Sequence, residues 1–130
     1  MSKNEAKQIL VVEDDVEVCN AILTALSRQG YRPTGVTSAR EAMFKLKNQK
    51  YACILLDMRL GEETGEDLIE FVRHRKDSSN TSTPVLVVSG HLDRHLVLKI
   101  ASQIQGAIVK PFEQKDLLAQ LEKILGRPSI

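Results

Sequence analysis

The chain has 130 residues, 42% hydrophobic and 27% charged, with a net charge of +1. That length encloses one sizeable core but not two ordinary ones, and the near-zero charge removes an electrostatic motive for binding nucleic acid or a membrane surface. The longest apolar runs, such as Ile9 to Val12 and Ala52 to Leu56, fall far short of the ~20 residues that span a bilayer, and the polar start before Ile9 lacks the apolar core of a signal peptide, so a cytoplasmic address is expected.

Ile9-Leu-Val-Val12 is a β-branched and apolar run that ends in Glu13-Asp14-Asp15, so the first strand delivers acids to its carboxyl end. From Val16 to Gln29, Cys19, Ile22, Leu23 and Leu26 recur at helical spacing, and Gly30 falls at the position of a left-handed cap. Tyr31 to Val36 reads as a weaker strand; Pro33 cannot donate to a ladder, which puts that strand at a sheet edge. Ser38-Ala-Arg-Glu41 has capping-box spacing, and Ala39, Ala42, Met43 and Leu46 mark the inner face of a second helix, Met43 as core filler.

Tyr51-Ala-Cys-Ile-Leu-Leu-Asp57 is too short for a helix and suits a strand buried on both faces, with Asp57 where it emerges. A polar loop from Met58 to Gly65 precedes a third helix with Leu68, Ile69 and Val72 inward, and Lys76 to Thr83 reads as a Ser/Asn/Thr-rich surface loop. Pro84 to Val88 makes the fourth strand, with Ser89-Gly90 at its exit. Leu96, Val97, Ile100, Ala101 and Ile104 give a fourth helix ended by Gly106. Ala107-Ile-Val109 is the last strand, left by Lys110-Pro111, and Leu117, Leu118, Leu121, Ile124 and Leu125 line a fifth helix. Cys19 and Cys53 lack metal-ligand spacing and read as buried free thiols.

Alternation of strand and helix implies one parallel sheet covered on both faces by right-handed crossovers. The expected fold is α/β, a flavodoxin-like (βα)5 three-layer sandwich with strand order 2-1-3-4-5, which leaves Pro33 at an edge and sets the first and third strands side by side. Residues 1–130 form a single domain with its core at about 8–125.

Glu13, Asp14 and Asp57 then converge, and carboxylates crowded into a partly dry crevice repel one another unless a cation joins them. Oxygen ligands with room left for water suit Mg²⁺. Ser89 arrives from the fourth strand and Lys110 from the fifth. A carboxylate nucleophile, a divalent ion, a hydroxyl and an ammonium are the parts needed to attack a phosphoryl group and hold its oxygens, so the chemistry implied is phosphoryl transfer to Asp57. Singly, each residue has a plainer reading: Asp14 or Asp15 as a helix cap, Ser89-Gly90 as a turn, Lys110 as a surface charge. Their joint occurrence at successive strand exits favours the site.

The set Val12-Glu13-Asp14-Asp15, Asp57, Gly65, Ser89 and Lys110-Pro111-Phe112 resembles the receiver domain of two-component response regulators over about Gln8 to Leu125. The resemblance implies Glu13, Asp14, Asp57 and the Arg59 backbone carbonyl as Mg²⁺ ligands, Asp57 as phosphoacceptor, Ser89 as switch hydroxyl and Lys110 as phosphoryl charge partner, with a cis Lys110-Pro111 bond placing the lysine. It also implies a histidine kinase or phosphotransfer protein as donor and a downstream protein partner on the face of helix four, strand five and helix five. No nucleic acid or membrane partner is expected on this chain, and it is read as a phosphoacceptor, not a turnover enzyme.

Two positions depart from the family pattern. Gly61 stands where receivers commonly carry proline, which suggests a more mobile loop. Ala107 replaces a frequent aromatic that changes rotamer with the hydroxyl, so any switch is expected to run through Ser89-Gly90-His91 and helix four. Arg59 and His91 are expected to border the phosphoryl group and set its lifetime. The basic residues His91, Arg94, His95 and Lys99 read as a solvated face. Two alternatives remain: a phosphorylation-independent scaffold, and a haloacid-dehalogenase-type phosphatase, which is weakened because Arg59 occupies the position of its second acid.

Overall fold

Four consecutive apolar residues, Ile9 to Val12, are buried because β1 (Gln8–Val12) lies inside a sheet and is covered on both faces. The chain, described here from a computed structural model over residues 6–61, 63–75, 79–90 and 94–126, continues through α1 (Val16–Arg28), β2 (Arg32–Val36), α2 (Ala39–Asn48) and β3 (Cys53–Leu56). A small antiparallel hairpin, Arg59–Leu60 against Glu63–Thr64, leads into α3 (Gly65–His74). Then come β4 (Val85–Ser89), α4 (Arg94–Ile100) with a 3₁₀ turn at Ala101–Gln103, β5 (Gly106–Val109) and α5 (Gln114–Leu125).

The sheet runs β2-β1-β3-β4-β5 with every pair parallel, the expected order. Pro33 sits in the edge strand β2, opposite Ile9. Val12 lies across from both Val36 and Leu56, and Leu56 from Val87, which aligns the carboxyl ends of the central strands. Strand side chains alternate between two cores, as the two-residue period requires. Leu10, Val12, Ile54, Leu56, Val85 and Val87 pack with α2, α3 and Ile100, whereas Ile9, Val11, Cys53, Leu55, Leu86 and Val88 pack with α1 and α5. Helices on both faces make the expected three layers.

Local signals held at several elements. Ser38 caps α2 by accepting from the Glu41 N–H (3.2 Å), while the Glu41 carboxylate reaches back to Thr37. Both cysteines are buried free thiols, and burial pushes the Cys53 thiol up to about 12.

Three expectations are corrected. First, the Lys76 to Thr83 stretch is no mere surface loop. Residues 76–78 lie outside the described residues, but Asn80 and Thr83 are buried at 0% and 1% exposure. Asn80 binds the end of α2 and the start of β3, because its amide can satisfy acceptor and donor backbone groups together. Second, the fourth helix ends at Ile100 instead of reaching Gly106. The Gln103 carbonyl is taken by the Arg73 guanidinium (2.7 and 3.0 Å), which anchors the tightened last turn to α3. Gly106 instead opens β5, where a Cβ would stand 3.1 Å from Leu86 Cδ1 and 3.3 Å from Gln120 Oε1, so its smallness lets α5 approach the sheet. Third, the polar loop expected from Met58 to Gly65 contains a hydrogen-bonded strand pair, Arg59–Leu60 against Glu63–Thr64, with Leu60 buried.

Candidate functional site

Glu13, Asp57 and Lys110 are each the first residue beyond the carboxyl end of their strands, and Ser89 is the last residue of β4. The Glu13 N–H still donates to Val36 O (3.0 Å) and the Asp57 N–H to Val12 O (2.9 Å), so the ladder fixes both backbones at the point where their side chains meet. Glu13 is 2% and Asp57 6% exposed, while Asp14 between them in the cluster is exposed. Each of the three offers a carboxylate oxygen, and these oxygens lie within 4.8 Å of one another. Asp15 turns away: its Oδ1 accepts from the Val18 N–H (3.1 Å) as the N-cap of α1.

Lys110 arrives from the end of β5. Its N–H donates to Ser89 O (2.8 Å), and its bond to Pro111 is cis, as expected. The ammonium bridges Glu13 Oε1 at 2.5 Å and Asp57 Oδ2 at 3.2 Å. Remaining carboxylate oxygens take backbone donors: Glu13 Oε2 from Asp15 N–H (3.1 Å) and Asp57 Oδ1 from Arg59 N–H (3.0 Å). Ser89, 2% exposed, is tied to Lys110 through the backbone. Glu13, Asp14, Asp57 and Lys110 are thus brought together, with Ser89 and Arg59 attached by their main chains. His91 lies outside the described residues.

Three carboxylates against one ammonium leave two formal negative charges in a largely buried pocket. Burial pushes the Glu13 carboxyl up to about 7 despite the Lys110 bond, with Asp57 adding to the rise. For Lys110 burial works downward, yet its bonds to Glu13 and Asp57 prevail and raise it. A dication would relieve this imbalance. The donors are hard oxygens, and their 4.8 Å spread is close to the roughly 4 Å across a Mg²⁺ shell, a difference that side-chain rotation can close. The residues fit the ion.

Two features were not read from the sequence. The Gly61 N–H donates to Asp14 Oδ2 at 3.0 Å, a bond foreshadowed by the Leu-Gly-Glu-Glu-Thr pattern of a short turn between extended residues. Beside Lys110, an apolar groove of about 510 Å³ opens between α1 and the β5–α5 connection, lined by Val18, Ala21, Ile22, Pro111, Phe112 and Leu117 among others.

A family model described as the response regulator receiver domain matches residues 9–122. The transcriptional regulatory protein BasR of Escherichia coli K12 is 32% identical over 123 residues, covering 92% of this chain and 53% of BasR. The chain spans about half the length of the curated relatives it matches. Among solved structures, the non-phosphorylated HemR receiver domain from Leptospira biflexa is 25% identical with a TM-score of 0.83, covering 92% of this chain and 94% of that one. The receiver domain of sensor histidine kinase PA1611 from Pseudomonas aeruginosa PAO1, with a magnesium ion coordinated in its active site cleft, is 23% identical with a TM-score of 0.82, covering 94% and 99%.

Proposed function

The chain belongs to the response regulator receiver domain family of two-component systems, and we propose that it accepts a phosphoryl group on Asp57 from a histidine kinase or phosphotransfer protein, with Mg²⁺ held at the acid cluster. The observation that carries this reading is the single Lys110 ammonium shared between Glu13 and Asp57 beside a third carboxylate, at the carboxyl end of the sheet.

Glu13, Asp14, Asp57 and the Arg59 carbonyl would hold the ion. Bound Mg²⁺ supplies positive charge that offsets the acids and draws in phosphoryl oxygens. The Asp57 carboxylate, held by the Arg59 N–H and Lys110, forms the new O–P bond as the donor's N–P bond breaks and the imidazole departs with that electron pair. Lys110 then pairs with an oxygen of the transferred group, and the Ser89 hydroxyl donates to another. The result is a modified partner-binding domain, not a turnover enzyme.

The groove between α1 and Pro111-Phe112 borders Lys110, so a donor that brings a phosphohistidine to Asp57 has an apolar seat for its own helix there. The downstream partner is assigned to the face of α4, β5 and α5, where Leu98 and Val109 are 69% and 50% exposed and a second groove of about 400 Å³ is lined by Val109, Phe112, Ala119 and Lys123 among others. With only a methyl at Ala107, the response is assigned to Ser89-Gly90 and α4, where Gly90, having no Cβ, can take up a changed backbone conformation. No described helix is long and apolar enough to cross a membrane.

The test is the intact mass of wild type and Asp57→Asn after incubation with a small-molecule phosphodonor, with and without Mg²⁺. Addition of one phosphoryl group, dependent on Mg²⁺ and absent from Asp57→Asn, is expected. A folded wild type that gains no mass under any condition would refute the proposal.

A further inference from the structure

We infer that the backbone N–H of Gly61 positions Asp14 for the divalent ion, so that this residue sets the affinity of the metal site; the inference rests on the reading of the acid cluster above. Glu13 and Asp57 are immobilised by burial and by Lys110. Asp14 is exposed, and among the described residues the one hydrogen bond to its carboxylate comes from Gly61, 47 positions along the chain (3.0 Å to Oδ2). An exposed carboxylate must otherwise give up its rotamer freedom each time it ligates. Here one oxygen is held in advance by a charge-assisted bond while the other remains for the ion.

The donor is itself held firmly. Its hairpin is fastened to the site by the Arg59 N–H on Asp57 Oδ1, to the core by buried Leu60, and to the start of α3 by the Gly65 N–H on Met58 O (2.9 Å). Asp57 and Asp14, which leave different strands, are therefore clamped by one turn. Gly61 adopts φ +65, yet a Cβ there would meet nothing within 4 Å. Conformation, not space, selects the residue. The position needs an N–H and a positive φ, and proline, which the family resemblance would place here, supplies neither. The substitution that seemed to loosen the loop gives Asp14 its donor.

Partners behind metal ligands typically govern affinity by 10- to 100-fold, so loss of this N–H is expected to weaken Mg²⁺ binding about tenfold. The experiment follows amide shifts of the ¹⁵N-labelled full chain during Mg²⁺ titration for wild type, Gly61→Pro and Gly61→Asn, together with hydrogen exchange of the Gly61 amide in wild type and Asp14→Ala. Gly61→Pro should bind more weakly, Gly61→Asn, which keeps the N–H and accepts positive φ, should restore most of the affinity, and the Gly61 amide should exchange faster in Asp14→Ala. Wild-type affinity in Gly61→Pro overturns the inference, as does equal loss in Pro and Asn or a Gly61 amide indifferent to Asp14→Ala. Should Gly61→Pro fail to fold, the exchange comparison decides alone. A wild type with no Mg²⁺-dependent shifts would overturn the functional reading itself, a result distinct from any of these.

Discussion

Replacing Asn80 by alanine would remove at least four hydrogen bonds from a fully buried position. The side chain accepts from Tyr51 N–H (2.9 Å) and Thr83 Oγ1 (3.0 Å), and donates to Leu46 O and Gln49 O (2.8 Å each). A lost bond costs about 1 kcal/mol where the partner regains water, and roughly 1–3 kcal/mol where a buried partner is left unsatisfied. Gln49 is exposed and regains water for its carbonyl, the Thr83 hydroxyl keeps Tyr51 O as an acceptor, and Tyr51 N–H and Leu46 O lie against the core, so we expect a loss of about 3–7 kcal/mol, a large part of a typical domain's stability. Thr83→Val, which deletes only the hydroxyl, should cost about 1 kcal/mol. The assay is urea unfolding followed by far-UV circular dichroism, since the chain has no tryptophan. Asn80 bonds Tyr51, ahead of the amino end of β3, whereas Asp57 lies beyond its carboxyl end, so phosphorylation of the folded fraction should be unchanged. An Asn80→Ala loss below that of Thr83→Val would refute the reasoning and return the segment to the status of a solvated loop.

Three further outcomes follow from burial and close approach. Because the folded Glu13 carboxyl titrates near 7, above the ordinary 4.5, the metal-free protein should lose stability as pH rises between those values; proton and cation compete for the same oxygens, so Mg²⁺ should raise Tm more at pH 8 than at pH 5, and equal shifts would count against the assignment. Burial raises both thiols, Cys53 to about 12, so mass spectrometry should find neither Cys19 nor Cys53 alkylated in the native protein at pH 8 and both alkylated in urea; rapid native labelling would contradict their placement. A Cβ on Gly65 would stand 2.7 Å from Met58 Sδ, 2.9 Å from Met58 Cα and 3.1 Å from Asp57 O, so Gly65→Ala should cost about 1–3 kcal/mol and also weaken Mg²⁺ binding, whereas a neutral effect on both would show that α3 can shift freely.

The parts of this fold legible in the sequence are those that one local rule decides. Ile9 to Val12 and Ile54 to Leu56 are apolar without a break because strands buried on both faces leave no position for a charge, and Pro33 marks an edge because a ladder needs N–H groups. Acids and a lysine directly after such runs locate the candidate site by topology alone. What escaped depends on partners distant in sequence. Asn80 and Thr83 look like loop residues until α2 and β3 are beside them. Ile104 extends the apolar stripe of α4, but Arg73, thirty residues before Gln103, holds the tightened turn there. At Gly61 the sequence reveals a residue free to bend, while the Asp14 contact that gives the bend a use spans 47 positions.

Charge in the site constrains how a phosphoryl group could be felt elsewhere. Three carboxylates and one ammonium sum to two negative charges; a dication balances them, and an aspartyl phosphate at neutral pH removes the Asp57 carboxylate charge while bringing about two of its own. The excess would have to be met by donors nearby, which in the proposed roles are Lys110, turning from Glu13 toward the new group, and the Ser89 hydroxyl. These two residues are not independent: the Lys110 N–H is bonded to Ser89 O, and Ser89 lies opposite Val109 in the β4–β5 ladder. A pull on either would therefore act on the paired ends of β4 and β5 together. Ala107, one pair further back from Ile108, carries no ring to relay that pull through the sheet edge. The ends of β4 and β5 lead directly to Gly90 on one side and to Pro111-Phe112 on the other, so the electrostatic demand of a phosphorylated Asp57 would fall on the approach to α4 and on the groove beside α1 at once.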